Sequence, residues 1–114
     1  MPEKTTGIEE QEDNSQEEKD SNIVFIGTKP FMNYVKSVFI QFTAKNQNEV
    51  IVKARGKFIN RAVDVAEVSK KHFAENQNIK LNVKDIKIGS EEFKNKEGRD
   101  INVSTIEIVL KKEE

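Results

Sequence analysis

The sequence predicts a two-layer α+β domain, in which two helices cover one face of a mixed four-stranded sheet. Two short β-branched and aromatic runs are each followed by an apolar stripe with helical spacing. Near the end of the chain, two further segments alternate apolar and polar residues, as half-buried strands do. The predicted order is therefore βαβαββ, with a right-handed parallel crossover between the first two strands and an antiparallel final pair.

The first strand and helix are predicted at the start of the domain. Residues 23–26 form an apolar run closed by Gly27, which is typical of an inner strand. Pro30 suits the first turn of a helix, with Thr28 as its cap. The helix itself is predicted from an apolar stripe at i, i+4, i+7, i+8 and i+11, formed by Phe31, Val35, Val38, Phe39 and Phe42.

The second strand, residues 49–54, leads through the turn at residues 55–57 into a second helix over residues 58–73. At about 100° per residue, one face of this helix is apolar and consists of Ile59, Ala62, Val63, Ala66 and Phe73. Apolar flanking residues widen this face to about half the circumference, beyond the ~100° that a surface helix needs. A second packing partner, such as another subunit, is therefore expected.

The last two strands are predicted over residues 79–88 and 101–110. The alternation in the first of them slips phase between Val83 and Ile86, which predicts a bulge near Lys84 and Asp85. The polar stretch between the strands carries turn residues at 95–98. These strands should form a hairpin whose tip projects beyond the sheet.

Charge divides the chain into two parts. Residues 1–21 hold two lysines against eight carboxylates, a net charge of −6, and have too few large apolar residues to fold, which predicts a disordered acidic tail. Residues 22–114 hold 17 Lys and Arg against 12 Asp and Glu, a net charge of +5, and form the predicted domain. A basic domain points to a polyanionic partner.

Several classes of function are excluded or disfavoured by the residues present. The chain has no cysteine, which excludes disulfides and thiolate chemistry, and its single histidine, His72, is interpreted as a packed structural residue. No metal-ligand spacing and no nucleophile motif occurs, so no enzyme activity, metal or cofactor is predicted. No apolar run approaches the ~20 residues of a membrane span, and a cytoplasmic location is expected.

The basic residues are better organised than the carboxylates. Both predicted strand-to-helix loops follow neighbouring parallel strands, so they should open on one edge of the sheet beside two helix N-termini suited to phosphate. The predicted nucleic-acid contacts are Lys29 in the first loop, Lys53, Arg55, Lys57, Asn60 and Arg61 around the second, and Lys94, Lys96 and Arg99 in the hairpin. The plain alternative is that these cations are simply solvated surface residues.

Four segments of the sequence are distinctive: Ile26-Gly27-Thr28-Lys29-Pro30-Phe31-Met32-Asn33-Tyr34-Val35, Val52-Lys53-Ala54-Arg55-Gly56-Lys57, residues 61–67, and Glu97-Gly98-Arg99 with residues 102–108. Together they resemble the archaeal Alba family of chromatin proteins. The resemblance covers about residues 22–112 and leaves out the acidic tail. It implies a βαβαββ domain similar to the C-terminal domain of the third bacterial translation initiation factor.

The resemblance also implies partners and roles. Family members form dimers that bind double-stranded DNA without sequence specificity, many also bind RNA, and the contacts map onto the two loops and the hairpin. Many members have two lysines in the first loop, one of them acetylated to weaken binding; here the pair is Thr28 and Lys29, so Lys29 is the acetylation candidate for an acetylase and deacetylase. Phe73 matches an aromatic residue that joins neighbouring dimers along DNA.

The predicted function is a non-enzymatic homodimer that coats and compacts the chromosome in the cytoplasm and also binds RNA. The alternative is a primarily RNA-binding protein, or a ribonucleoprotein subunit, of the same fold. For the tail two hypotheses stand: a solubilising extension, or an acidic segment that competes with phosphate for the basic residues.

Overall fold

The computed structural model describes residues 21–113, so the predicted acidic tail lies outside the described residues apart from Ser21. The elements follow the predicted order: β1 (Ile23–Phe25), α1 (Phe31–Phe42), β2 (Glu49–Arg55), a 3-10 turn (Gly56–Phe58), α2 (Ile59–Asn76), β3 (Leu81–Lys94) and β4 (Asp100–Lys112). No helix in this part of the chain is long and apolar enough to cross a bilayer.

The sheet has the strand order β1-β2-β4-β3. β1 pairs with β2 in parallel, and the other two pairs are antiparallel, so the predicted mixed four-stranded sheet is confirmed. One expectation was wrong: β1 is an edge strand, not an inner one, and Phe25 is 37% exposed. The apolar run instead reflects contact of Val24 with the helices on one face and partial cover of Phe25 by Lys53 on the other.

The core lies between the sheet and the two helices. Alternate residues of β2 and β4 point into it, and Val50, Val52, Ile108 and Leu110 are buried. Three phenylalanine rings join the helices: the Phe73 ring stacks on Phe39 with centroids 5.4 Å apart and meets the Phe42 ring edge-on at 5.5 Å. Burial of these aromatic surfaces fixes both helices against one face of the sheet.

One local prediction for α1 differs from the structure: Thr28 does not cap the helix, because Pro30 is the N-cap residue and no side chain caps it. In α2, the stripe buried within the chain is narrower than the apolar face and consists of Ala62, Val65, Ala66, Ser69 and Phe73. Val63 belongs to the apolar face and is 40% exposed, so the chain leaves part of that face uncovered.

The predicted bulge in β3 is confirmed. The register with β4 shifts between Val83 and Asp85, so that Val83 and Ile86 face the same side despite their odd spacing. Because Ile86 and Ile88 stand opposite the buried Ile108 and Ile106, they lie on the helix-covered face. The helices do not reach this far, and Ile86 and Ile88 are 55% and 81% exposed.

The β3–β4 hairpin is longer than its apolar pattern indicates. Pairing continues to Lys94 and Asp100, six residues beyond the predicted end of β3 at Ile88, because backbone hydrogen bonds hold a ladder whatever its side chains. At the tip, the Asn95 side-chain oxygen accepts hydrogen bonds from the Glu97 and Arg99 amides. Gly98 takes the left-handed conformation there, with φ +80°. The domain measures 50 × 24 × 22 Å along its principal axes.

Candidate nucleic-acid interface

The two helices begin at one edge of the sheet, where β1 and β2 end. Neither helix has a side-chain cap or an acidic residue in its first turn. The first amides of a helix have no partner within the helix, and the helix dipole favours an anion beside them. The Asn33 amide bonds to the Pro30 carbonyl oxygen and the Ile59 amide to that of Gly56, so the backbone donors suited to phosphate are the other first-turn amides of the two helices.

Lys29 is held at this edge by its backbone. Its amide donates to the Tyr34 hydroxyl oxygen at 2.9 Å, and the Gly27 amide donates to the same oxygen at 3.0 Å. Its carbonyl oxygen accepts from Arg61 Nη1 at 2.7 Å. Both polar groups of the Lys29 backbone are thus fixed, while its side chain is exposed and makes no ion pair within residues 21–113.

Arg61 connects the two loops. It lies in the first turn of α2, and its guanidinium stands 6.0 Å from the ring centroids of Phe31 and Tyr34 in α1. A guanidinium has five N–H donors, and the bond to Lys29 uses one of its nitrogens. The predicted meeting of the loops is therefore confirmed, and Arg61 keeps donors for an oxyanion.

Lys57 and Asn60 complete this edge. Lys57 lies in the 3-10 turn, with its ammonium 5.5 Å from the Phe58 ring centroid, and Asn60 is exposed in the first turn of α2. Gly56 makes the turn with φ +60°, and a Cβ there would lie 3.4 Å from Val103 Cγ1. We call the edge formed by Lys29, Lys57, Asn60 and Arg61 the phosphate platform.

Lys53 and Arg55 lie elsewhere than the sequence cluster indicates. They alternate along β2 with the buried Val52 and Ala54, so their side chains lie on the open face of the sheet. Each is paired with a carboxylate: Lys53 with Glu107 at 3.5 Å and Arg55 with Glu91 at 2.8 Å. The strand period of two therefore separates them from the platform, although they adjoin it in sequence.

Arg55 also braces the hairpin. Its partner Glu91 lies on β3, and its guanidinium carbon is 5.7 Å from the Phe93 ring centroid. β4 lies between β2 and β3, and both Arg55 and Gly89 pair with Thr105. The Arg55 side chain thus spans β4, next to a position where glycine leaves room.

The hairpin cations are mostly matched by carboxylates. Residues 84–100 contain five Lys and Arg and five Asp and Glu, so this part of the hairpin is neutral. Lys94 pairs with Asp100 at 2.8 Å, whereas Lys96 and Arg99 at the tip make no ion pair within residues 21–113. Of the three predicted hairpin contacts, the two at the tip are therefore the ones without a paired carboxylate within residues 21–113.

Phe73 and His72 belong to the packing between the helices. The predicted contact of Phe73 with a neighbouring dimer stays a prediction. In this chain the Phe73 side chain is 1% exposed. Its position on the buried stripe of α2, against Phe39 and Phe42, is the physical reason for this burial. The interpretation of His72 is confirmed: its ring meets Phe39 edge-on at 6.1 Å and Nδ1 lies 3.1 Å from Asn76 Nδ2.

Three residues that organise the interface were not among the predicted contacts. Tyr34 holds the first loop, Glu91 holds Arg55, and Asn95 closes the hairpin tip. The role of Tyr34 could have been found from the sequence, since it is the only tyrosine and lies on the apolar side of α1, where its buried hydroxyl needs a hydrogen-bond partner. The role of Glu91 could not have been found from the sequence, because its partner Arg55 is 36 residues away.

Two helix N-termini and exposed cations on one edge of a small α+β domain form a surface suited to phosphate. The Alba family model matches residues 22–90. The chain is 50% identical over 89 residues to the DNA/RNA-binding protein Alba of Methanococcus maripaludis, covering 78% of this chain and 96% of that protein. It is also 50% identical over 91 residues to DNA/RNA-binding protein Alba 1 of Archaeoglobus fulgidus, covering 80% of this chain and 96% of that protein.

Solved structures agree with these matches. Alba from Thermoplasma volcanium superposes with a TM-score of 0.68 at 43% identity and covers 79% of this chain and 99% of that one. ALBA1 from Trypanosoma brucei gives a TM-score of 0.58 at 27% identity, covering 80% of this chain and 68% of that one. The chain belongs to the Alba family.

Proposed function

We propose that this protein binds double-stranded DNA without sequence specificity, coats and compacts the chromosome, and also binds RNA. The observation that carries the proposal is the phosphate platform, where Tyr34 and Arg61 hold the backbone of Lys29 beside two uncapped helix N-termini. The relatives named DNA/RNA-binding protein Alba support it independently. Cytoplasm and chromosome are the locations that follow from this function.

The mechanism is electrostatic. Lys29, Lys57 and Arg61 neutralise phosphates, and the release of condensed counterions supplies most of the affinity. Backbone amides at the two helix N-termini add hydrogen bonds to phosphate oxygens. Contacts of this kind position a protein on the duplex without reading its sequence.

The hairpin extends the contact along the duplex. Its tip carries Lys96 and Arg99, and Asn95 fixes the loop that presents them. Because residues 84–100 have no net charge, the hairpin adds reach more than electrostatic attraction. Arg55 joins the contact only by exchanging Glu91 for a phosphate.

A homodimer places two such platforms on one duplex. Val63 lies on the side of α2 opposite Arg61, which contacts α1, so Val63 faces the side of β3. With Ile86 and Ile88 it forms an exposed apolar surface that a second copy can cover. Sedimentation should give a dimer without nucleic acid, and Ile86→Lys with Ile88→Lys should give a monomer; a monomeric wild-type chain would reject this part of the proposal.

Lys29 is the proposed site of regulation by acetylation. Its backbone is fixed but its ammonium is exposed, so an acetylase and deacetylase can reach it and change its charge without disturbing the fold. Lys29→Gln, which removes the charge as acetylation does, should weaken binding. Lys87→Gln, at an exposed lysine of β3, is the matched control.

A salt series tests the function as a whole. If a dimer neutralises about 6–10 phosphates, affinity should fall about 10³–10⁵-fold between about 50 and 200 mM salt. A nearly flat salt dependence would reject the mechanism.

Competition between duplex DNA and structured RNA in one buffer decides between DNA and the alternative of RNA as the main partner. Incubation of labelled DNA and RNA with the protein and magnesium should yield no products, since we propose a binding protein and not an enzyme.

A further inference from the structure

A second basic feature lies on the other side of α1 from α2. A groove of about 460 Å³ runs between the edge strand β1 and helix α1. Its helix side presents Asn33, Ser37 and Gln41 at i, i+4 and i+8, and lysines occur at both ends and in the middle: Lys29, Lys36 and Lys45. Phe25 and Ile40 give it an apolar part.

The strand side of the groove is an open sheet edge. The Asn22 carbonyl oxygen and the Ile26 amide bond to β2, at Ile51 and Lys53. In a parallel pair, residues that bond to the neighbouring strand alternate with residues whose backbone N–H and C=O groups point away from it. The backbone groups of Ile23 and Phe25 therefore point to the open edge of the sheet. The Ile23 amide is bonded to the Ser21 hydroxyl, which leaves the Phe25 groups and the Ile23 carbonyl facing outwards. Such an edge accepts an extended peptide.

We infer that this groove binds an acidic peptide segment, and that its occupant is residues 1–20 of the same chain. These residues carry a net charge of −6, opposite to the lysines of the groove. α1 runs back along β1, so Lys45 after its end lies near the start of β1, where residues 1–20 are attached. Twenty residues are enough to reach along the ~18 Å length of a helix of 12 residues such as α1, since even a random coil of 20 residues spans about 25 Å.

The occupant reaches the nucleic-acid interface at one place. Lys29 belongs both to the far end of the groove and to the phosphate platform. An acidic segment in the groove therefore competes with phosphate at Lys29 and leaves Lys96 and Arg99 at the hairpin tip untouched. This consequence rests on the proposed function, whereas occupancy of the groove does not.

Occupancy is tested without nucleic acid, in the full-length protein. Because the chain has no cysteine, Ser15→Cys carries a single nitroxide spin label. At low salt we expect broadening of the Asn33, Ser37 and Gln41 amide signals, and none at Ser90 or Glu92 in the hairpin. Lys36→Gln should reduce the broadening, and Lys87→Gln should not. Equal broadening over the whole domain, or none in α1, would overturn the inference.

The competition is tested by removing residues 1–20. The relatives match almost their whole length to 89 or 91 residues of this chain, so the shortened protein corresponds to their folding unit. At low salt it should bind DNA about threefold to tenfold more tightly, a gain of the size of a few exposed ion pairs that vanishes as salt screens them.

Lys36 separates the acidic segment from nucleic acid as the occupant. Lys36→Gln should tighten DNA binding by the full-length chain and, in the shortened chain, act no differently from Lys87→Gln. If Lys36→Gln weakens binding in both chains, the groove is part of the nucleic-acid interface and the inference is wrong. If neither the full-length nor the shortened protein binds nucleic acid, the proposed function fails. The spin-label result still decides whether residues 1–20 occupy the groove.

Discussion

The phosphate platform and the hairpin both carry predicted nucleic-acid contacts, but they are built differently. In the platform, Tyr34 and Arg61 fix the backbone of Lys29, and no ion pair within residues 21–113 occupies Lys29, Lys57 or Arg61. In the hairpin, Lys94 is paired with Asp100, and residues 84–100 have no net charge. A fixed cation without a partner gains the full attraction of a phosphate, whereas a paired one must first lose its carboxylate.

The supports beneath the two regions differ as well. The platform stands on two helices joined by the stacked rings of Phe39 and Phe73. Beyond Ser90 neither α1 nor α2 covers the hairpin, and its residues are held by backbone pairing with β4, by Arg55 and by Asn95. We therefore expect substitutions in the platform to change affinity strongly and those in the hairpin to change it modestly.

The largest difference concerns stability. Phe73→Ala should destabilise the domain by about 3–5 kcal/mol, because it empties a fully buried aromatic site. Phe93→Ala, at a ring that is 43% exposed in the hairpin, should cost about 1 kcal/mol or less. Denaturant unfolding of both variants measures this; similar losses would mean that the hairpin carries part of the core.

The next difference concerns charge. Lys29→Ala should weaken DNA binding by about 10–100-fold near 0.1 M salt and lower the salt slope by about 1 to 2, since the proposed dimer would lose two phosphate contacts. Lys94→Ala should change affinity by about threefold or less, because Asp100 already matches its charge. Equal losses in a filter-binding salt series would contradict the distinction between free and paired cations.

Loss of the Tyr34 hydroxyl, which positions the Lys29 backbone, should change DNA affinity less than loss of the Lys29 charge and should leave the salt slope unchanged. Tyr34→Phe leaves the Gly27 and Lys29 amides without their acceptor, which should cost about 1–3 kcal/mol of stability. DNA affinity should fall about threefold to tenfold with an unchanged salt slope, since no charge is removed. Ser37→Ala removes another α1 hydroxyl, which within residues 21–113 donates to the Asn33 carbonyl oxygen of the same helix, and should leave affinity unchanged. A changed slope for Tyr34→Phe would contradict a purely positioning role.

The smallest expected effect is a gain. Glu91→Gln releases Arg55 for phosphate and should tighten DNA binding about twofold to fivefold at low salt. Glu92→Gln removes the same charge from the other face of β3, where no ion pair involves it within residues 21–113, so the difference between the two isolates Arg55. If both variants tighten binding equally, Arg55 makes no phosphate contact.

Most of the fold could be predicted because its signals are local. The helices follow from stripes such as Phe31, Val35 and Val38, and the β3 bulge follows from the phase slip between Val83 and Ile86. The edge position of β1 could not be predicted, because an inner strand and an edge strand that packs under a helix can both have the same apolar run. The length of the hairpin could not be predicted either, because backbone pairing beyond Ile88 leaves no apolar pattern in the sequence.

The sequence by itself determined the order of elements, the split between an acidic segment and a basic domain, and the placement of Lys29 and Arg61 on one edge. The tertiary structure alone decided which cations are paired with carboxylates among residues 21–113. Lys53 and Arg55 adjoin Lys57 in the chain, yet they pair with Glu107 and Glu91 from β4 and β3, while Lys57 makes no ion pair in this part of the chain. The physical reason is that charge neutralisation acts over a few ångströms in space, and its partners here are 36 or more residues apart along the chain.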